Sequence, residues 1–290
     1  KTSNSEPNSD MRLLFNTIML EINRWTKDKI ITHPLSELLP ALKKAEFTAL
    51  EIWQYHISRL TDNELTALKD QLDALEFASV ALGAYPILHL EGTQGQEAAA
   101  QLERLVGYAA ILGTTTFKIF PGRLASADAD DSTWQRSLQR LRDLAARLAD
   151  NNMELTLETH GNTLCDTEAS INHMLAELSD ISNLGLCFQP YTDQDTEATL
   201  AFFSTLAPAI RHIHLQNRTM SDNTCSRLAD GDWYDCARLL QAAKASGFDG
   251  LLSLEFTAGL FPPEGAVFDP QTVIDNALQD AEFVWQHWST

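Results

Sequence analysis

The sequence has few cysteines, few basic residues and no long apolar run, and each shortage excludes a class of protein. Its four cysteines, Cys165, Cys187, Cys225 and Cys236, lack C-x-x-C spacing, which favours free thiols in a reducing compartment over a disulfide framework. No stretch approaches the roughly 18 consecutive apolar residues of a transmembrane helix. With 21 basic against 40 acidic residues, the net charge of −19 argues against nucleic acid or an anionic membrane as a partner.

The N-terminal region lacks the continuous apolar segment that a secretory signal needs. The run from Leu13 to Leu20 is broken by Asn16 and Thr17, so it is a poor candidate for such a segment. We expect residues 1–10 to form a disordered tail and residues 11–290 to form one domain. Together with the free thiols, these features favour a cytoplasmic location.

The chain alternates eight short β-like runs with eight amphipathic helical runs. The predicted strands are 13–19, 49–53, 79–84, 115–120, 154–160, 185–189, 211–215 and 251–256. The predicted helices are about 35–45, 62–77, 95–112, 130–150, 167–178, 195–206, 233–246 and 271–288. Eight strands, each followed by a helix, predict a single-domain (β/α)8 TIM barrel. The alternative is a doubly wound sheet, but its usual glycine-rich first turn is absent from Asn16-Thr17-Ile18.

In the last four predicted strands, polar side chains alternate with apolar ones. Glu158, Gln189, His214 and Glu255 fall on the polar face of their strands, near the C-terminal ends. That face points into a barrel, and the C-terminal ends carry the active site in barrel enzymes. Two carboxylates, an imidazole and an amide oxygen suit one divalent cation, which we predict to be Mn²⁺, Mg²⁺ or Co²⁺, with Zn²⁺ as a further candidate.

The charge on this predicted ring gives a second reason to expect a cation. Two inward carboxylates repel each other and lose hydration, which costs on the order of several kcal/mol unless a positive charge is present. The alternative is that Glu158 and Glu255 pair with Lys118, Arg218 or His214 without a metal. The sequence leaves both arrangements open.

Six short stretches carry a resemblance to a known family. They are Leu157-Glu-Thr-His160, Gly185-Leu-Cys-Phe-Gln-Pro190, His212-Ile-His-Leu-Gln-Asn217, Gly231-Asp-Trp233, Gly247-Phe-Asp-Gly250 and Ser253-Leu-Glu255. Their order and spacing resemble the xylose isomerase-like TIM-barrel superfamily, specifically its sugar phosphate isomerase/epimerase family, over about residues 11–289.

The resemblance implies a ligand set for the metal. In the family, Glu, Asp, His and Glu from strands five to eight hold the ion, and these positions are Glu158, Gln189, His214 and Glu255 here. Gln189 departs from the usual Asp. An uncharged amide implies weaker binding and a more electrophilic ion or, as the alternative, a relative that has lost its metal.

The resemblance also implies an activity, namely a metal-dependent isomerase or epimerase of a small sugar, sugar acid or sugar phosphate. Glu158 and Glu255 would be catalytic, one removing a carbon-bound proton and the other returning it through an enediolate. Expulsion of a β-hydroxyl would instead make the protein a lyase, such as a dehydratase of a keto-sugar or cyclitol. The third alternative is a non-catalytic, metal-free relative. Barrels of this family often form dimers or tetramers, so a homo-oligomer is also expected.

Further polar and aromatic residues near the strand ends are candidates for substrate binding. They are Lys118, Arg218, His56, His89, His160 and Trp53. Trp53 could form an apolar wall against the C–H face of a sugar. The others have structural alternatives: Lys118 could pair with Glu51, Arg218 could be a solvated loop residue, and the histidines could bond to their loops. His212 is predicted to be a buried core histidine.

Two branches of the superfamily fit less well. Ketose 3-epimerases carry Glu, His and Arg at fixed offsets from the metal ligands, where this chain has Leu164, Thr192 and Met220. Endonuclease IV needs further histidines that are missing here. A nucleic-acid substrate and a free-ketohexose epimerase are therefore not expected.

Overall fold

The computed structural model of the protein describes residues 12–289, so the predicted N-terminal tail at residues 1–10 lies outside the described residues. In that range the strands are β1 (Arg12–Asn16), β2 (Ala49–Trp53), β3 (Ala78–Ala84), β4 (Thr116–Ile119), β5 (Glu154–Glu158), β6 (Leu184–Phe188), β7 (Ile210–Leu215), β8 (Asn217–Thr219), β9 (Thr224–Ser226) and β10 (Leu251–Leu254). Eight of them close into a parallel barrel in the order β1-β10-β7-β6-β5-β4-β3-β2. The predicted (β/α)8 fold is confirmed, and the doubly wound alternative is wrong.

A helix follows each barrel strand. The helices are α1 (Leu35–Lys44), α2 (Asp62–Ala74), α3 (Gly92–Leu112), α4 (Asp131–Ala149), α5 (Glu168–Glu177), α6 (Thr196–Leu206), α7 (Cys236–Ala245) and α8 (Pro270–Ser289). The helix α2 begins with a capping box between Thr61 and Glu64, and α3 ends at Gly113 in the left-handed conformation. Such caps satisfy backbone groups that have no partner within the helix, and so they set where each helix begins and ends.

Strand alternation places apolar side chains outside the barrel wall and polar ones inside it. Leu155 and Leu157 of β5 belong to the main hydrophobic core, between the strands and the helices. Glu158, on the opposite face, lies in register with Cys187 of β6. Ser253 of β10 lies in register with His214 of β7. The last four barrel strands therefore present their polar faces to a common interior.

The structure corrects the ends of several predicted strands. The first strand ends at Asn16 instead of Met19, because the Asn16 side chain accepts a hydrogen bond from the Ile18 amide and starts a 3₁₀ helix over Thr17–Leu20. The segment after β7 is also not a plain loop, since β8 and β9 pair as an antiparallel hairpin. Arg218, predicted in a loop, is therefore a strand residue.

Two predictions about chain class agree with the described residues. All four cysteines are free thiols, as their spacing predicted. Within residues 12–289, no helix has the length and apolar character needed to cross a membrane.

Candidate metal centre and active site

Four strand ends bring the predicted metal ligands together. Glu158 is the last residue of β5, Gln189 follows β6, His214 lies in β7 and Glu255 follows β10. The His214 Nδ1 atom lies 3.2 Å from Gln189 Oε1, 3.3 Å from Glu255 Oε1 and 3.7 Å from Glu158 Oε1. One ligand atom from each of Glu158, His214 and Glu255 falls within 4.8 Å of the others. All four side chains are nearly or fully buried.

The spacing of these atoms fits a divalent cation. The terminal amide atom of Gln189 that faces the cluster lies 2.9 Å from Glu158 Oε1 and 2.8 Å from Glu255 Oε2. Neighbouring ligands of an octahedral ion at about 2.1 Å lie about 3 Å apart, which is close to this spacing. With its oxygen at this corner the amide would be a fourth ligand, whereas with its nitrogen there it donates to both carboxylates.

A fifth residue, Glu51 of β2, lies behind His214. The Glu51 carboxylate is 3.0 Å from His214 Nε2 and accepts a 2.7 Å hydrogen bond from Ser253 Oγ. With its proton on Nε2, the imidazole donates to Glu51 and turns the Nδ1 lone pair toward the predicted ion. Strand parity pointed Glu51 inward, but its contact with His214 was not predicted, because β2 and β7 are not neighbours in the barrel.

Lys118 of β4 is a buried counter-ion of the cluster. Its Nζ lies 2.6 Å from Glu158 Oε2, 3.9 Å from Glu51 Oε1 and 3.3 Å from the Tyr85 hydroxyl. Both pairings that the sequence left open for Lys118 are therefore present, with Glu158 as the closer partner and Glu51 as the more distant one. Gly83 of β3 leaves room for this arrangement, because a Cβ atom there would lie 3.1 Å from Glu51 Oε1 and 3.3 Å from Lys118 Cε.

Attraction between opposite charges shifts the pKa values of Lys118 and His214 more than burial does. Burial lowers the pKa of Lys118, but Glu158 and Glu51 raise it more strongly, so the net pKa lies well above its ordinary value. Burial likewise opposes charge on His214, yet Cys187 and the surrounding carboxylates raise its pKa well above the usual range. The metal-free pairing that the sequence left open is thus geometrically available, between Glu158 and Lys118 and between Glu255 and His214.

Arg218 reaches the cluster through one intermediate side chain. Its Nη2 donates to Gln216 Oε1 at 3.2 Å, and Gln216 Nε2 donates to Glu255 Oε2 at 2.8 Å. The Nε atom of Arg218 is buried and has no hydrogen-bond partner among residues 12–289. Gln216 was not predicted, although it has the inward parity of His212 and His214.

Two further histidines contact residues that themselves touch the cluster. The His160 ring is 4.6 Å from the Phe120 ring, which lies 5.4 Å from Lys118 Nζ. His212 is fully buried, as predicted, with its Nε2 3.4 Å from Glu51. Burial lowers its pKa, but Cys187 and Glu51 raise it to about 9 overall.

Three predicted substrate-binding residues have structural contacts outside the cluster. His56 is buried with its Nε2 3.0 Å from the Thr17 carbonyl, and burial lowers its pKa to about 4. Trp53 is 1% exposed and packs against Tyr55, with ring centroids 4.7 Å apart. His89 is a half-buried loop residue whose carbonyl accepts from Arg136. None of these contacts joins the residue to the four strand ends.

Comparison with known proteins gives the family. Residues 39–277 match the family of xylose isomerase-like TIM barrels. The chain belongs to that family. This agrees with the barrel, with the order of the short motifs and with the placement of polar side chains at the C-terminal strand ends.

The chain is also similar in sequence to a protein with a named activity. It is 30% identical over 185 residues to a 3-dehydroshikimate dehydratase of Bacillus anthracis, an alignment that covers 61% of this chain and 64% of the relative. The chain therefore spans less than two thirds of that relative's length.

Three solved structures share the fold. A probable 3-DHS dehydratase from Bacillus anthracis involved in petrobactin synthesis superposes with a TM-score of 0.70 at 19% identity, covering 94% of this chain and 98% of the other. A D-psicose 3-epimerase in the presence of D-fructose gives 0.72 at 15% identity, covering 97% and 100%. A xylose isomerase-like barrel from Mycobacterium smegmatis in complex with magnesium gives 0.70 at 14% identity, covering 96% and 97%. At these identities the likeness concerns the fold.

Proposed function

We propose that this protein is a divalent-metal-dependent lyase that removes water from a small polyhydroxylated keto acid such as 3-dehydroshikimate. The observation that carries the proposal is the convergence of Glu158, Gln189, His214 and Glu255 at one point inside the barrel. Such a ring can hold an ion against a carbonyl oxygen and, with the same carboxylates, move a proton at the adjacent carbon.

The donor set defines which ions we expect. Three oxygens and one imidazole nitrogen favour Mn²⁺, Mg²⁺ or Co²⁺, and Zn²⁺ remains a candidate because it accepts the same groups. The ion would supply positive charge to the substrate oxygen that becomes an oxyanion when the neighbouring proton leaves. Because Gln189 is uncharged, we expect less of that positive charge to be neutralised by the protein than with an aspartate.

The side chains around the ion have distinct tasks in this proposal. Glu255, oriented by the 2.8 Å hydrogen bond from Gln216, takes the proton from the carbon beside the carbonyl. The electron pair of that C–H bond forms the enediolate. As the C–O bond of the β-hydroxyl breaks, Glu158 and Lys118, 2.6 Å apart, supply the proton that lets it leave as water. The net change is the loss of one water.

Isomerisation or epimerisation is the second candidate, and it uses the same enediolate with Glu158 returning the proton to carbon. We favour dehydration because the 30%-identical relative is a dehydratase, whereas the epimerase structure shares 15% identity and hence the fold. The three positions where ketose 3-epimerases carry Glu, His and Arg also favour dehydration. Leu164 is buried in the core, and Thr192 and Met220 are exposed, so no polar epimerase pocket forms there.

The test combines metal reconstitution with product analysis. Protein stripped with a chelator is reloaded separately with Mn²⁺, Mg²⁺, Co²⁺ or Zn²⁺ and incubated with 3-dehydroshikimate. We expect a product lighter by one water, formed only with metal. A product of unchanged mass from keto-sugars would favour the isomerase, and failure to bind any of the ions would overturn both candidates in favour of a non-catalytic relative.

A further inference from the structure

A cavity of about 510 Å³ lies beside the proposed reaction centre, between helix α3 and the loops that follow β2, β3 and β4. Gln54, Tyr85 and Arg123 line it from the loops, and Gln94, Glu97 and Gln101 line it from helix α3. None of these residues is among the proposed metal ligands. The cavity therefore offers space for a part of the substrate that the ion does not hold.

Gln54, which is buried, and Tyr85, which is partly exposed, carry side-chain hydrogen-bond donors in the wall of this cavity. Gln54 is 3% exposed, and its Oε1 accepts a 2.9 Å hydrogen bond from the Tyr85 amide. Its Nε2 has no partner among residues 12–289 and belongs to the cavity wall. The Tyr85 hydroxyl accepts from Lys118 Nζ at 3.3 Å, so its own hydrogen is available to a ligand.

The third donor is the guanidinium of Arg123, which the Pro121-Gly122 turn directs over two aromatic rings. Its Cζ lies 5.5 Å from the Tyr85 ring centroid and 5.6 Å from that of Phe120. Gly122 adopts a φ of +136°, a conformation that favours glycine. No carboxylate among residues 12–289 forms an ion pair with Arg123, although the chain has 40 acidic residues for 21 basic ones.

Arg123 and the reaction centre are within reach of one small molecule. Lys118 Nζ and Arg123 Cζ lie over the same Tyr85 ring, at 4.5 and 5.5 Å from its centroid, so these atoms are at most 10 Å apart. Lys118 in turn touches Glu158. A six-membered ring with a carboxylate spans a comparable length. Tyr85 therefore contacts both Lys118 and Arg123, which places Arg123 within about one substrate length of the cluster.

We propose that Arg123, with Gln54 and Tyr85, forms a subsite that binds a carboxylate group of the substrate. A planar guanidinium is suited to bidentate contact with a carboxylate, and stacking on two rings restricts its motion before binding. The two neutral donors add hydrogen bonds without adding an acceptor that would repel the anion. This inference rests on the proposed function for the reacting end of the substrate, and it adds the residue that selects for an acid.

The test uses two ligands that differ only in the carboxylate. These are 3,4-dihydroxybenzoate, the aromatic acid that loss of water from 3-dehydroshikimate gives, and catechol, which lacks the carboxylate. Calorimetric titration of Mn²⁺-loaded protein with each ligand gives the ratio of their Kd values. We expect the wild type to favour the acid by about 10- to 100-fold, the range for hydrogen bonds to a charged group. Arg123→Gln should bring this ratio close to one and leave the catechol Kd within about twofold.

The control is Arg104→Gln, which removes an exposed arginine of helix α3 outside this cavity and should change neither Kd. A wild type without preference for the acid, or a preference that survives Arg123→Gln but is lost in Arg218→Gln, overturns the subsite. Equal weakening of both ligands overturns it as well, because the arginine would then be structural. If 3-dehydroshikimate does not react but the ratio of the two Kd values still drops in Arg123→Gln, the proposed dehydration is wrong and the subsite is supported.

Discussion

The two halves of the barrel contribute different chemistry to its interior. The half formed by β5, β6, β7 and β10 supplies the four predicted metal ligands, each at or just after the C-terminal end of its strand. The half formed by β1, β2, β3 and β4 supplies a buried carboxylate, Glu51, and a buried cation, Lys118, on either side of Gly83. In the proposed metal site, the first half supplies the ligands, and the second half supplies charged residues that contact two of them.

The two halves meet at two contacts. Glu51 is 3.0 Å from His214 Nε2, and Lys118 is 2.6 Å from Glu158. Two of the four ligands, His214 and Glu158, therefore each contact a residue of opposite charge from the second half. Mutations in the first half should mainly change chemistry. In the second half, Glu51 variants should mainly change metal affinity, and Lys118 variants should change stability in addition to the proposed proton transfer.

The largest effect is expected in the ligand half. Glu255→Gln and Glu158→Gln each remove a proposed proton-transfer group and a charged ligand, so kcat with 3-dehydroshikimate should fall by about 10²- to 10⁴-fold. The control is Glu154→Gln, at the exposed first residue of β5, and this variant should retain activity. Wild-type turnover in both ligand variants would remove the assignment of these carboxylates.

The next effect is expected for Lys118→Met, measured by urea unfolding of chelator-treated protein. Removing the cation leaves Glu158 buried without its 2.6 Å partner, which should cost about 3–5 kcal/mol of unfolding free energy. Lys43→Met breaks the exposed 3.4 Å pair with Glu76 and should cost less than about 1 kcal/mol. Equal losses in the two variants would mean that the two halves are not coupled through this pair.

Glu51→Gln should have a smaller effect, on metal affinity. The amide can still accept from His214 Nε2, but it no longer carries the charge that favours this orientation of the ring. Loss of such an outer partner typically weakens metal binding by about 10- to 100-fold, which calorimetry with Mn²⁺ on stripped protein can measure. An unchanged affinity in a folded Glu51→Gln protein would show that His214 does not depend on the second half.

The ligand half was largely predictable from sequence because its geometry follows from strand alternation. A two-residue period places Glu158, His214 and Glu255 on the inward face, and closure of the barrel brings adjacent strand ends together. The lengths of most strands and helices follow from the same periodicity, with errors at the ends.

The other contacts depend on features that periodicity does not carry. Glu51 and His214 belong to strands that are not neighbours, so their contact depends on barrel width and side-chain length. Periodicity also does not rank the two predicted partners of Lys118, because the Nζ–carboxylate distances, 2.6 Å to Glu158 and 3.9 Å to Glu51, differ by little more than an ångström. The β8–β9 hairpin has three-residue strands, which are too short to give a clear alternating pattern.

Gly83→Ala should have the smallest effect, and it tests how tightly Glu51 and Lys118 are packed in the second half. The new Cβ atom would lie 3.1 Å from Glu51 Oε1 and 3.3 Å from Lys118 Cε, so one of these side chains must shift by a few tenths of an ångström. Glu51 cannot shift freely, because Ser253 and His214 hold its other oxygen. We therefore expect a loss of about 1 kcal/mol in unfolding free energy.

Gly107→Ala is the matched control, because a Cβ atom at this exposed position of helix α3 meets nothing within 4 Å. Alanine there should stabilise the helix by about 0.5–1 kcal/mol, so the two substitutions should have opposite signs in urea unfolding. If Gly83→Ala is as stabilising as Gly107→Ala, then Glu51 and Lys118 adjust without cost. The second half would then be a loosely held counter-charge, and the small effect expected for Glu51→Gln would have to come from charge rather than position.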